Sequence, residues 1–256
     1  MAGTSWLKQT DKPLFPDILW SRPENKRYAG KLMIAGGHAQ SFSAPSRAFI
    51  AASKAGAGTV RILLPNSLQK VIGRGLPEAE FAASTPIGSF SAKALAIFFD
   101  LADWSDAVLL AGDFGKNSET AVLLDNFVDK FGGQLTFCGD AVDYFVSNSQ
   151  KLFARENTAI VATFSQLQKL AAPDIVLRQN TDLAQVVDAL GDWGRSIKSA
   201  IITEHSGQII VSFDSQISTT PGTFDPDIAG YASVWRLQQP DKPFEALTTA
   251  VWCLFA

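Results

Sequence analysis

The chain has little with which to bind a metal or to crosslink itself. Among 256 residues there are only two histidines, His38 and His205, and two cysteines, Cys138 and Cys253. Two cysteines far apart exclude a disulfide framework and a thiolate zinc site. Two histidines almost exclude a His-rich metal centre and leave any Ser-His-Asp triad two candidates. Charge is also sparse, with 18% Asp, Glu, Lys and Arg and a net charge of −3. That balance provides no electrostatic footprint for nucleic acid or an anionic membrane. No apolar run approaches the roughly 20 residues of a membrane span, and the opening MAGTSWLKQTDKPLF has no long apolar stretch. The expectation is a soluble, cytoplasmic protein. There is no GxxxxGK[ST] P-loop, and Gly56-Ala57-Gly58 lacks a third glycine and precedes a strand, so it fails the dinucleotide fingerprint. It reads instead as a helix C-cap and a close turn.

What is present is apolar: 46% of residues, including 18 phenylalanines and 6 tryptophans, enough for a large core. Residues 31–35 (KLMIA), 59–64 (TVRILL), 107–111 (AVLLA), 134–138 (QLTFC) and 159–162 (AIVA) are almost continuously apolar, as strands covered on both faces are. Helical patterns separate them at 45–57, 91–102 and 118–131, the last expected to stop at a left-handed Gly132-Gly133. Further on, 181–194 reads as a helix. Residues 200–203 (AIIT) and 208–213 (QIIVSF) flank the turn His205-Ser206-Gly207 and suggest an antiparallel hairpin. Beyond Thr219-Thr220-Pro221-Gly222 the pattern is helical to the end, in two segments broken at 240–243. This order predicts an α/β fold, a three-layer αβα sandwich whose mostly parallel sheet has an antiparallel edge. Residues 1–19 are expected as a peripheral arm and 20–256 as one domain.

Three glycine-bearing turns follow predicted strands, where open parallel sheets bind ligands. They are Gly36-Gly37-His38 with the stretch to Ser46, Gly112-Asp113-Phe114-Gly115-Lys116, and Pro221-Gly222-Thr223-Phe224-Asp225-Pro226-Asp227. Each also suits a helix start: Ser43 as cap of the first helix, Asn117 or Ser118 of the third, and Asp225 before Pro226 of the penultimate one.

Taken in order, these segments resemble the NAD(P)H-hydrate dehydratase family. RPENKRYAGKLMIAGGHAQSFSAPSRAFIAASKAGAGTVRILLP is similar to that family's opening, LLAGDFGKNSETAVLL to its GPGLG segment, LTFCGDAV to its DADA strand, and GTFDPDIAGYASVWRLQ to its GTGD signature with one residue added. The resemblance runs from about Trp20 to the C-terminus. It implies a ribokinase-like fold with the site at the carboxyl ends of the strands. The implied activity is repair of hydrated NADH or NADPH, with ADP or ATP as co-substrate and Mg²⁺ assisting. The ring hydroxyl becomes a phosphate leaving group and elimination restores the cofactor. The resemblance implies Asp225 as base, with Asp227 in reserve because of the added residue, and Gly222 and Thr223 in the anion loop. Gly36, Gly37, Ala44, Gly112 and Gly115 would border the substrate, and Asp140 and Thr163 fall at further positions of the cofactor site. A homo-oligomer is expected, with no metal held by protein ligands.

Several positions depart from the pattern. Phe224 replaces the glycine before the aspartate, where bulk disfavours a left-handed backbone. Pro226 removes an N–H. Ala162-Thr163-Phe164-Ser165-Gln166 stands where the family has PHPGE, and Thr203-Glu204 where it has Lys-Gly. Two alternatives are therefore carried: a non-catalytic ligand-binding or assembly descendant, and a small-molecule kinase. An architectural account of the same residues makes Asp225 an N-cap and Asp227 a first-turn acid. His38 lies inside the first glycine turn, within reach of a phosphate or else as a solvated loop residue, and His205 reads as an exposed turn residue. Both cysteines read as core, and Trp235 and Trp252 as interface candidates.

Overall fold

Strand Lys31–Gly36 (β2) is buried at every residue after its first, which only a sheet covered on both sides explains. The same holds for Ala107–Gly112 (β5) and Thr158–Val161 (β7). The computed structural model describes residues 5–73, 75–172 and 174–256. The remaining strands are β1 (Ser5–Lys8), β3 (Thr59–Pro65), β4 (Ala79–Ala82), β6 (Gln134–Cys138), β8 (Ala200–His205), β9 (Gln208–Phe213) and β10 (Gln216–Pro221). Together they form one sheet in the order β1-β10-β9-β8-β7-β6-β5-β2-β3-β4.

The longer helices are α1 (Ser43–Lys54), α2 (Leu95–Trp104), α3 (Ser118–Lys130), α4 (Phe164–Ala171), α5 (Leu183–Gly194), α6 (Asp227–Gln238) and α7 (Pro243–Phe255). Alternate strand residues separate two cores. Met33, Val108, Leu110, Phe137 and Ile201 pack with α2 to α5, whereas Leu32, Ile34, Leu109, Val161 and Ile202 pack with α1, α6 and α7. This is the expected three-layer sandwich. Among the described residues no helix is long and apolar enough to cross a membrane.

Pairings along β4-β3-β2-β5-β6-β7-β8 are parallel. Only the β8–β9 and β9–β10 pairings are antiparallel. Two reversals restore direction, so β10 points the same way as β8. The loop after β10 therefore leaves from the same edge of the sheet as the loops after β2, β5 and β6. The chain runs from β2 outward to β3 and β4, then returns to the other side of β2 as β5. The switch point between β2 and β5 is where such sheets open a crevice.

Some expectations differ from the structure. Within the segment expected as an arm, Ser5–Lys8 adds a parallel strand at the sheet edge and Ile18 is fully buried; residues 1–4 lie outside the described residues. Gly132 and Gly133 do not make a left-handed stop, since neither has positive φ. Arg155 instead holds the turn that follows the helix, donating to the carbonyls of Phe131 and Gly133. His205 is not exposed: it ends β8, lies 4.4 Å from the ring of Phe164 and contacts the Thr181 carbonyl at 2.6 Å. Trp235 is fully buried in the α6 core, so it is not surface for a subunit contact.

Candidate functional site

Gly36 and Gly112 end the two strands that flank the switch point, and they nearly touch. A Cβ at Gly36 would stand 2.3 Å from the Gly112 carbonyl oxygen, so only glycine lets the backbones approach. The ladder shifts register there, and the Gly37 N–H donates to the Gly112 carbonyl at 3.1 Å. Gly112 adopts φ +111° and lies against the Gly139 Cα on the next strand end. Three of the strand ends singled out in the sequence thus meet in a small backbone-lined floor.

Asp113 ties the first two turns together. Its carboxylate accepts from the Ser41 hydroxyl at 2.7 Å, the Ser43 hydroxyl at 3.2 Å and the Ala44 N–H at 2.9 Å. The cap of α1 therefore comes from a distant turn rather than from Ser43, whose helix has no side-chain cap of its own. Asp113 holds φ +59° to reach this position.

Asp140 acts similarly on the second turn, accepting from the N–H groups of Phe114 at 3.1 Å and Gly115 at 3.0 Å. Burial pushes its carboxyl above the usual range of about 3.8, while those two amides pull the other way. A cavity of about 390 Å³ opens beside it, lined by Gly115, Asn117, Ser118, Asp140, Asp143 and Tyr144. Tyr144 closes one wall, donating to the Gly115 carbonyl and accepting the Asn117 N–H. Asn117 caps α3 by accepting from Glu119 and Thr120, which directs the start of that helix at the cavity. Thr163 is engaged elsewhere: its hydroxyl forms a capping box with Gln166 at the start of α4. Gln166 in turn donates to the Gly139 carbonyl at 2.9 Å, joining this strand end to the others.

Across the switch point lies the loop from β10 into α6. Asp225 Oδ1 accepts the Asp227 N–H at 2.8 Å and the Arg47 Nη2 at 2.8 Å. Arg47 also reaches Asp227 at 2.9 Å. Asp225 is thus both the start of its helix and one arm of a carboxylate–guanidinium–carboxylate clamp. Its Oδ2 takes no bond among the described residues. The Gly222 N–H goes to the Gly207 carbonyl, whereas the amides of Thr223, Phe224 and Asp225 find no acceptor among the described residues. Phe224 is half-buried against the α6–α7 core, and the Phe255 ring covers Gly222. Cys138 at the end of β6 is a buried core residue, and burial pushes its thiol up to about 12.

The structure therefore gathers Gly36, Gly37, Ala44, Gly112, Gly115 and Asp140 around one floor. Asp225 and Asp227 are linked to it through Arg47, which lies on the same helix as Ala44, α1. Arg47 and Asp113 are the residues that the sequence reading missed. Asp113 carried a faint signal, an acid inside a glycine turn; Arg47 carried none.

No family model matches the sequence, and no curated protein matches it. Solved structures do match. A ribokinase-like superfamily protein from Enterococcus faecalis is 17% identical over 98% of this chain and 87% of its own, with a TM-score of 0.74. The ADP/ATP-dependent NAD(P)H-hydrate dehydratase of Bacillus subtilis, co-crystallised with ATP and Mg²⁺, is 14% identical over 95% of this chain and 87% of its own, with a TM-score of 0.64. A phosphomethylpyrimidine kinase from Clostridium difficile is 10% identical over 88% and 99%, with a TM-score of 0.50. Likeness of this kind, across nearly the full length and at such low identity, establishes the architecture: the chain has a ribokinase-like fold.

Proposed function

We propose that the cleft at the carboxyl ends of the strands binds ADP or ATP, and that the chain is a divergent NAD(P)H-hydrate dehydratase with Asp225 as its base. The observation that carries this reading is the run of three amides without a protein acceptor among the described residues, Thr223, Phe224 and Asp225, in the turn leading into α6. Backbone donors at a helix N-terminus suit a polyphosphate, and the helix dipole favours its charge. Oδ2 of Asp225 is free to take the proton of a ring hydroxyl. The hydroxyl oxygen then attacks the terminal phosphorus of ATP and the bond to the ADP oxygen breaks; the ring C–O bond later breaks to release phosphate while the neighbouring ring carbon gives up a proton to water, and the ring double bond reforms. Arg47 brings to this helix start a positive charge that Thr203-Glu204 does not supply. Among the described residues no group of three or more His, Cys, Asp or Glu side chains converges on a metal position. Mg²⁺ in this reading travels with the nucleotide's phosphates, its usual mode. A homo-oligomeric, cytoplasmic enzyme belongs to the same reading.

A non-catalytic ligand-binding descendant is the second reading. It is favoured by the double engagement of Asp225 Oδ1 and by Phe255 lying over Gly222. Hydrated NADH incubated with ADP or ATP separates the two. Recovery of the reduced cofactor's absorbance by wild type and not by Asp225→Asn supports the dehydratase. No recovery, with a nucleotide-induced thermal shift retained, supports the binding protein. Transfer of phosphate to a small alcohol without cofactor recovery would point instead to a kinase.

A further inference from the structure

At the opposite end of the strands, Arg236 on α6 is a buried cation without a counter-ion among the described residues. The residue is 4% exposed, and its Nη1 is fully buried with no hydrogen-bond partner. None of the ion pairs or side-chain hydrogen bonds among the described residues includes it. It lines a cavity of about 440 Å³ between the amino ends of β7 and β8 and the β9–β10 turn. The other charges on that cavity are two cations, Arg195 and Lys198, and two acids, Glu156 and Asp214. Glu156 is held by Lys198 at 2.7 Å, and Arg195 is held by Asp192 at 2.8 Å. Asp214 forms no salt bridge to Arg236.

A second guanidinium aggravates the imbalance. Arg155 donates to the carbonyls of Phe131, Gly133 and Glu156 and adds repulsion to Arg236. Burial foremost, and Arg155 next, pull the Arg236 guanidinium down to about 10, so it remains charged at neutral pH. A buried, uncompensated charge is costly, and such groups normally find a partner. Guanidinium presents a planar fork of donors that fits phosphate or carboxylate oxygens.

We propose that this cavity is an anion site in which Arg236 binds a phosphate or carboxylate group, with Lys198 at the rim. It is separate from the nucleotide cleft, which lies at the other end of the same strands.

The test titrates the whole protein with inorganic phosphate and, in a second arm, with acetate, against chloride at equal ionic strength. Thermal stability and the Arg236 side-chain Nε–H resonance are followed. The expected result is a stabilised wild type and a shifted Arg236 resonance with phosphate, acetate or both; the arm that responds identifies the anion class. Arg236→Met, which keeps an unbranched stem, should weaken binding by about tenfold or more. Without added anion it should melt no lower than wild type, because the unpaired charge is gone. Equal stabilisation of wild type and R236M overturns the proposal, as does an Arg236 resonance that ignores both anions. A resonance that moves with Asp214→Asn and not with phosphate also overturns it. If R236M does not fold, the wild-type resonance decides alone. Failure of the dehydratase assay leaves this result untouched.

Discussion

Gly230 of α6 lies against Ala51 of α1 so closely that a Cβ at Gly230 would stand 2.8 Å from the Ala51 Cβ, and 3.0 Å from the Ala48 carbonyl oxygen and the Ala52 nitrogen. This crossing brings the start of α6 beside the first turn of α1, and hence Asp225 and Asp227 to Arg47. A helix interior ordinarily favours alanine over glycine by about 1 kcal/mol. Here packing overrides propensity, because two of the three nearest atoms are backbone and cannot swing aside.

Gly230→Ala is therefore expected to destabilise the fold by about 1–3 kcal/mol, the usual cost of overpacking. Urea denaturation measures it. A variant as stable as wild type would show that the two helices separate easily and that the Arg47 clamp does not depend on their contact.

Asp113 caps α1 from another turn, so its loss should act on a helix to which it is not connected in sequence. Asp113→Ala is expected to cost about 1–2 kcal/mol, as a lost cap with unpaired donors does. Asp113→Asn should recover part of this, since an amide oxygen still accepts the Ala44 N–H. Hydrogen exchange at Ala44 gives the local readout. Unchanged protection in Asp113→Ala would refute the cap.

The pH dependence at Asp140 has a definite sign. Burial raises its carboxyl above 3.8, so the folded state holds the proton more tightly than the unfolded chain. Its contribution is fully present below 3.8 and is lost as pH rises through the folded-state value. The stability of wild type relative to Asp140→Asn should consequently increase as pH is lowered from neutrality toward 4. Denaturant midpoints of both proteins across that range test this. A constant difference, or one that shrinks in acid, contradicts it.

Arg236 and Asp225 sit at the two ends of one helix and illustrate opposite uses of charge. Asp225 is half-exposed, paired and helix-capping, so its clamp adds little stability, since exposed ion pairs contribute about 1 kcal/mol or less. Arg236 is enclosed and unpaired, so its cost is high unless something binds it.

Much of the architecture was legible in the chain. Strands β2, β3, β5, β6 and β7 announce themselves because both their faces are buried, and Gln208–Phe213 pairs with the strand before it as the short turn predicted. The edge strands were not legible. SWLK in β1, AEFA in β4 and QISTTP in β10 are short or polar, and only their neighbours' backbone groups make them strands. His205 looked like a turn residue because its neighbours Ser206 and Gly207 are turn formers. The Phe164 ring, 41 positions earlier in the chain, is what buries it.

At the site, the sequence alone determined the glycine turns, since glycine is distinctive wherever backbones must approach or turn left-handed, and it marked Asp225 through its place before Pro226. Tertiary structure alone decided that Gly36 meets Gly112, that Asp113 caps a helix starting 70 residues earlier, and that Arg47 clamps Asp225 across 178 positions. Local propensity acts over a few residues, whereas these contacts depend on strand order and on one tight helix crossing, which no local pattern encodes.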